Sequence, residues 1–79
     1  MADIIALDVS MGKSNVAWYH QKNCRGEFVF RHTQSGFNQL LSTVQAADHP
    51  IIFFEATGIY SSPVEHFCIS HQLKYCRLN

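Results

Sequence analysis

A run of four large apolar residues at positions 51–54 constrains the fold of this chain more than any other stretch. Such a run predicts a short strand that is buried on both faces, as strands of parallel sheets are. Glu55 follows immediately, and Thr57 and Gly58 then predict a turn. We therefore expect Glu55 at the carboxyl end of a buried strand, the edge of open α/β sheets where ligands bind. A carboxylate there requires water, an ion partner or a metal to compensate for its desolvation.

The same pattern occurs near the start of the chain. Residues 4–7 form a short apolar run, and Asp8 follows it. Residues 9–14 contain Ser10 and Gly12 and predict a turn. Two apolar strands that each end in a carboxylate are thus the main functional signal in the sequence.

The periodicity of the chain predicts an α/β fold with the element order βββαβαβ. An apolar stripe at residues 37, 40, 41 and 44 predicts the first helix, with Ser35 as its N-cap and an end near residue 46 or 47. Ser62, Pro63 and Glu65 have the spacing of a capping box and predict the start of the second helix. The predicted strands, of which the first three form an antiparallel meander, are residues 3–8, 15–20, 27–31, 51–54 and 73–78.

The strand–helix–strand path around the first helix predicts a right-handed crossover that lays the strand at 51–54 parallel to an earlier strand. The first strand is the expected neighbour, which brings Asp8 and Glu55 to one edge of a mixed sheet. Two adjacent carboxylates raise each other's pKa unless a cation lies between them, and Mg²⁺ favours such oxygen sites. The competing interpretation, equally compatible with this pattern, is that the acids cap strands or pair with Lys13 or Arg77.

Two stretches of sequence resemble a known family of enzymes. Residues 5–13, which read IALDVSMGK, resemble the opening G-I-D-V-S-K stretch of the DEDD-type insertion-sequence transposases, although Met11 stands where that family often has Lys. Residues 54–60, which read FEATGIY, resemble their more specific E-A-T-G-x-Y stretch. Residues 78 and 79 resemble the start of their V-N-P segment. This family also includes pilin-gene invertases and bridge-RNA-guided recombinases.

The resemblance implies a ribonuclease H-like (RuvC-like) catalytic domain, of which residues 1–79 are the N-terminal part. It implies that Asp8 and Glu55 are the first two of four catalytic acids that bind Mg²⁺, with Mn²⁺ as a substitute, for DNA transposition and recombination. The other two acids and a nucleophilic serine lie farther along in that family, so we expect the fragment alone to be inactive. The implied partners are DNA and, in some members, a guide RNA. Thr57, Gly58 and Tyr60 belong to the motif and are implied to support the site. Ser10 and Lys13, in the loop after Asp8, are further candidates to support it by contacting phosphate or a metal-bound water, although most loop Ser and Lys side chains are only solvated.

Composition narrows the class of protein. A chain of 79 residues with 47% hydrophobic and 15% charged residues forms one small globular domain or part of a larger one. Its net charge of zero argues against strong autonomous binding to nucleic acid. No membrane span or signal peptide is evident. Three cysteines without CxxC spacing favour a reduced, cytoplasmic setting.

Other functions remain open from sequence. An actin-like or sugar-kinase-like phosphotransferase shares the strand meander and an early acid, although the glycine of an Asp-x-Gly loop is absent after Asp8. A non-catalytic dimerising module needs no site. A zinc site at His66, Cys68, His71 and Cys76 matches no common spacing, and core packing is the better interpretation of Cys68. Because helices normally cover both faces of such a sheet, we also expect a bare apolar face and a homo-oligomer.

Overall fold

Five strands and two α-helices form the structure, a computed structural model that describes residues 2–79. The α/β class and the predicted order βββαβαβ are confirmed. Neither helix in this part of the chain is long and apolar enough to cross a membrane. The elements are β1 (Ile4–Ser10), β2 (Lys13–His20), β3 (Asn23–Arg31), α1 (Gln34–Ala46), β4 (Ile51–Glu55), a 3₁₀ turn (Gly58–Ser61), α2 (Ser62–Ser70) and β5 (Lys74–Leu78).

The strands form one mixed sheet in the order β3-β2-β1-β4-β5. β1, β2 and β3 pair in antiparallel fashion, as the predicted meander requires. β4 lies parallel to β1 and is followed by β5, which lies parallel to β4 on its other side. The predicted crossover from the meander to a strand parallel to β1 is therefore present.

Both antiparallel hairpins are tighter than the sequence suggests. The predicted six-residue turn after Asp8 is a two-residue turn at Met11 and Gly12, because Gly12 adopts a φ of +75° that glycine tolerates. The second turn is formed by Gln21 and Lys22, both with positive φ, as in two-residue hairpin turns. β1, β2 and β3 are consequently longer than predicted. The polar first half of β3 is exposed, which is why it carries no apolar signal.

The two helices differ from prediction in how they begin. Thr33, not Ser35, caps α1, since its hydroxyl accepts a hydrogen bond from the Gly36 backbone N–H over 3.2 Å. Ser62 is the first residue of α2, with helical backbone angles, and the predicted capping box does not form. The reason is that the chain enters α2 directly from the 3₁₀ turn, so no extended cap residue precedes the helix.

Both helices pack on the same face of the sheet. Alternate strand residues such as Ile5, Leu7, Ile52 and Phe54 point into this core, together with residues of the two helices. Residues 51–54 are therefore buried on one face and only half-buried on the other, which corrects the prediction of burial on both. We call the other side of the sheet the uncovered face. Its exposed apolar residues are Ile4, Tyr19, Val29 and Leu78.

Candidate functional site

The parallel register of β1 and β4 brings the two predicted acids to adjacent positions. Leu7 pairs with Phe54, and Asp8 and Glu55 are the next residue on each strand. Leu7 and Phe54 point into the core, so the alternation of side chains places both carboxylates on the uncovered face. Since neighbouring strands lie about 4.8 Å apart, the two acids are side by side at the carboxyl edge of the parallel strands.

Both carboxylates are exposed, and neither forms a hydrogen bond or an ion pair with any residue between 2 and 79. The alternative role predicted for them, pairing with Lys13 or Arg77, is not seen. The Arg77 guanidinium instead donates to Glu65 on α2 over 3.4 Å. The oxygens of Asp8 and Glu55 are therefore available to an external cation.

Asn15 also belongs to this site, although the sequence interpretation missed it. It is the direct cross-strand partner of Asp8 on β2, and it is exposed on the same face. Asp8, Asn15 and Glu27 line an open concavity of about 570 Å³ over the first three strands. A two-residue turn at Met11 and Gly12 fixes the pairing of Asp8 with Asn15, so recognition of that turn would have revealed this neighbour.

Ser10 and Lys13 lie at the end of the β1–β2 hairpin, close to the acids. They pair directly across the two strands, and the Ser10 hydroxyl donates to the Lys13 carbonyl over 3.3 Å. Arg31 on β3 lies opposite Lys13 on its other side. The hairpin and the end of β3 therefore add a row of one hydroxyl and two cations beside Asp8 and Asn15.

The residues after Glu55 shape the other side of the site. Gly58 has a φ of +61°, which permits the tight exit from β4 that the sequence predicts. The Thr57 hydroxyl oxygen is buried and has no hydrogen-bond partner among the described residues. Tyr60 is 42% exposed and Ile59 78%, so both side chains are at the surface. The 3₁₀ turn that contains them contacts β1.

The oxygen atoms of Asp8, Glu55 and Asn15 fit part of a magnesium site. Asp8, Glu55 and Asn15 offer carboxylate and amide oxygens, the ligands that Mg²⁺ and Mn²⁺ prefer, and the exposed edge leaves room for metal-bound water. Within residues 2–79, no group of three or more His, Cys, Asp and Glu side chains is placed to hold a metal. The two acids and Asn15 therefore supply a partial ligand set.

A second pairing of reactive residue types is structural. The Ser14 hydroxyl and the His32 Nε2 lie 2.8 Å apart, as a nucleophile and base would. Ser14 is fully buried beneath the sheet, and burial lowers the pKa of His32, which stacks on Phe37. A hydroxyl that is buried from solvent cannot contact a substrate. We therefore interpret this hydrogen bond as structural, because it links β2 to the segment that leads into α1.

No protein-family model matches the chain, and no curated protein matches it significantly. Among solved structures, the chain is similar to YeaZ from Pseudomonas aeruginosa, with a TM-score of 0.58 and 17% sequence identity. The similarity covers 100% of this chain and 43% of YeaZ. The chain thus spans less than half the length of this structural neighbour, and the likeness concerns the fold alone.

Proposed function

We propose that this chain is the N-terminal part of the ribonuclease H-like catalytic domain of a DEDD-type transposase. The observation that carries the proposal is the adjacent placement of Asp8 and Glu55, each directly after the last paired residue of the parallel strands β1 and β4. The E-A-T-G-x-Y resemblance of residues 54–60 supports it, and so does the element order. In the longer, cytoplasmic protein the substrate is DNA, and a guide RNA is a further partner in the RNA-guided members.

In this proposal the chain's own residues hold a divalent cation. Asp8 and Glu55 would hold it through their carboxylates, and Asn15 would add a neutral amide oxygen from the neighbouring strand. A bound Mg²⁺ supplies stabilisation of the charge that develops on the phosphodiester oxygens during strand cleavage. Ser10 and Lys13 border the site at the hairpin, while Thr57, Gly58 and Tyr60 shape the turn on its other side.

The experiment that tests this function is a Mn²⁺ titration, with Mg²⁺ as competitor, of the wild type and the variants Asp8→Asn and Glu55→Gln. We expect saturable binding that both substitutions abolish, because each removes a charged ligand of the same ion. Asp48→Asn is the matched control, since it removes an exposed carboxylate at the opposite end of the sheet. It is expected to bind Mn²⁺ like the wild type.

Other outcomes would favour other functions. Folded wild type without Mn²⁺ binding, or binding that survives in both acid variants, contradicts the proposal. Saturable ATP binding in the absence of oligonucleotide binding would favour the phosphotransferase alternative. Mg²⁺-dependent cleavage of DNA by residues 1–79 alone would contradict the expectation that the fragment is inactive.

A further inference from the structure

Two cations lie directly opposite each other at the hairpin end of the sheet. Lys13 on β2 pairs with Arg31 on β3, and both side chains are exposed. Their strand neighbours Ser14 and Phe30 are buried in the core, so both cations are on the uncovered face. Like charges directly opposite in a sheet are destabilising. Neither cation has a carboxylate within 4.0 Å anywhere in residues 2–79.

The backbone holds these two positions in place. The His32 N–H donates to the Gly12 carbonyl over 2.9 Å, which ties the end of β3 to the β1–β2 turn. The Ser14 hydroxyl contacts His32 as well. Gly36 of α1 packs directly against the Arg31 backbone, where a Cβ would lie 1.8 Å from the carbonyl oxygen. The fold therefore fixes two like charges side by side without compensating either of them.

The pair continues a row that runs beside the acids. Ser10 lies opposite Lys13, so Ser10, Lys13 and Arg31 form one line across three strands, which we call the cation row. Asp8 is two residues from Ser10 on β1, and Asn15 is two residues from Lys13 on β2. This spacing corresponds to about 7 Å along each strand. A ligand with two negative groups therefore reaches a metal at the acids and the cation row at the same time.

We propose that the cation row binds a phosphate of a nucleic-acid strand while a neighbouring phosphate lies at the metal held by Asp8 and Glu55. This inference rests on the proposed function and names how the same site holds its substrate. Arg31 presents a planar fork that suits phosphate oxygens, and Lys13 adds a mobile point charge. The chain has no net charge, so attraction to a polyanion depends on such local rows of cations.

The test is the salt dependence of binding to a fluorescein-labelled single-stranded DNA oligonucleotide, measured by anisotropy. Each phosphate that a protein neutralises contributes about 0.7 to the slope of log K against log salt for single strands. Because Lys13 and Arg31 bind one phosphate in this proposal, Lys13→Gln with Arg31→Gln is expected to lower the slope by about 0.7. The control is Lys22→Gln with Lys74→Gln, which also removes two positive charges but at the opposite end of the sheet. An unchanged slope in the first variant, or an equal fall in the control, overturns the proposal.

Two further measurements separate this proposal from the function on which it rests. The Lys13→Gln, Arg31→Gln variant is expected to bind Mn²⁺ at least as tightly as the wild type, because it leaves Asp8 and Glu55 intact and removes two positive charges near the ion. Loss of the salt slope in this variant, with no Mn²⁺ binding in any protein, supports the cation row and contradicts the metal site. Inorganic phosphate and ADP are titrated as competitors. Binding of either at Lys13 and Arg31 without binding of the oligonucleotide overturns the assignment to a polynucleotide.

Discussion

The carboxylate of Asp3 accepts a hydrogen bond from the indole nitrogen of Trp18 over 2.9 Å. The Asp48 backbone N–H donates to the same oxygen, Oδ2, over 3.0 Å, and the His20 Nδ1 contacts the other oxygen, Oδ1. The Asp3 backbone also bonds to Asp48 and Ile51. This buried acid therefore joins β1 to β2 and to the start of β4, and it fixes the register that aligns the two acids at the far end of those strands.

Asp3→Asn is expected to lower the thermal midpoint by several degrees. The amide loses the negative charge that three donors share, and it places an NH₂ group against donors that already need an acceptor. Differential scanning fluorimetry at neutral pH measures the change. Asp48→Asn is the matched control, because its side chain is about half exposed and pairs only with the exposed His49. An equal loss of stability in both variants would show that burial of Asp3 has no special role.

The stability of the wild type is expected to fall as the pH is lowered through the range in which Asp3 titrates. The backbone N–H of Asp48 and the side chains of His20 and Trp18 lower the pKa of Asp3 from 3.8 to about 2. A group with a depressed folded-state pKa stabilises the fold above its unfolded pKa, and this contribution is lost as pH falls through the folded value. Urea midpoints of the wild type should therefore fall more steeply than those of Asp3→Asn between pH 4 and pH 2. Parallel curves for the two proteins in this window would contradict the assignment.

Gly36→Ala is expected to destabilise the fold, although alanine is the better helix former. In an unhindered helix the change stabilises by about 1 kcal/mol. Here the new Cβ would lie 1.8 Å from the Arg31 carbonyl oxygen, so α1 or the end of β3 has to move. Overpacking of this kind costs about 1–3 kcal/mol. Urea unfolding measures the sign of the effect.

Gly26→Ala provides the control for this substitution. Gly26 lies in β3, and a Cβ there has no neighbouring atom within 4 Å. Its free energy of unfolding is expected to stay within about 0.5 kcal/mol of the wild type. A Gly36→Ala variant as stable as Gly26→Ala would show that α1 does not pack closely on Arg31.

The order of the elements was predictable because their apolar patterns are local. Residues 51–54 and the stripe of α1 each reveal one element, and the crossover rule then places β4 parallel to β1. The position of Glu55 beside Asp8 follows from these two facts. None of this depends on the exact length of a turn.

Asn15 and Arg31 were not predictable in the same way, because their neighbours depend on hairpin register. A shift of one residue moves every side chain to the other face. The turn at Met11 and Gly12 sets the register of Asn15, whereas the register of Arg31 depends on the turn at Gln21 and Lys22 and on a bulge where β2 pairs with β3. The role of Glu65 was missed for a related reason. It has the spacing of a capping box, but its carboxylate accepts hydrogen bonds from Tyr75 and Arg77 on β5.

The three thiols are expected to react at very different rates. Burial raises the pKa of Cys68 to about 12, with a smaller contribution from Glu65, so its reactive thiolate is scarce at neutral pH. Cys24 is exposed on β3 and should react first with a chromogenic disulfide reagent. Mass spectrometry of peptides after brief labelling identifies the site. Labelling of Cys68 as fast as Cys24 in the folded protein would contradict its place in the core.

The uncovered face is expected to make the chain self-associate. Both helices lie on the other side of the sheet, while parallel strands are normally covered on both faces. Ile4 and Val29 remain 42% and 55% exposed on this face, and a second copy is the one protein surface present in a purified solution. Sedimentation velocity should show a mass that rises toward the dimer with concentration. Metal titrations should therefore be made at protein concentrations too low for dimerisation, since Asp8 lies on the same face.

Charged substitutions test whether this face carries the association. Ile4→Lys and Val29→Lys each place an ammonium group among the apolar side chains, and each should keep the chain monomeric at concentrations where the wild type dimerises. Ile69→Lys is the matched control, because Ile69 is an apolar residue of α2 that is 60% exposed on the opposite side of the molecule. It should associate like the wild type, because the expected interface is the uncovered face and does not include α2. A wild type that stays monomeric at millimolar concentration would mean that the strands tolerate water on one face, and an Ile69→Lys variant that alone fails to dimerise would move the interface to the helices.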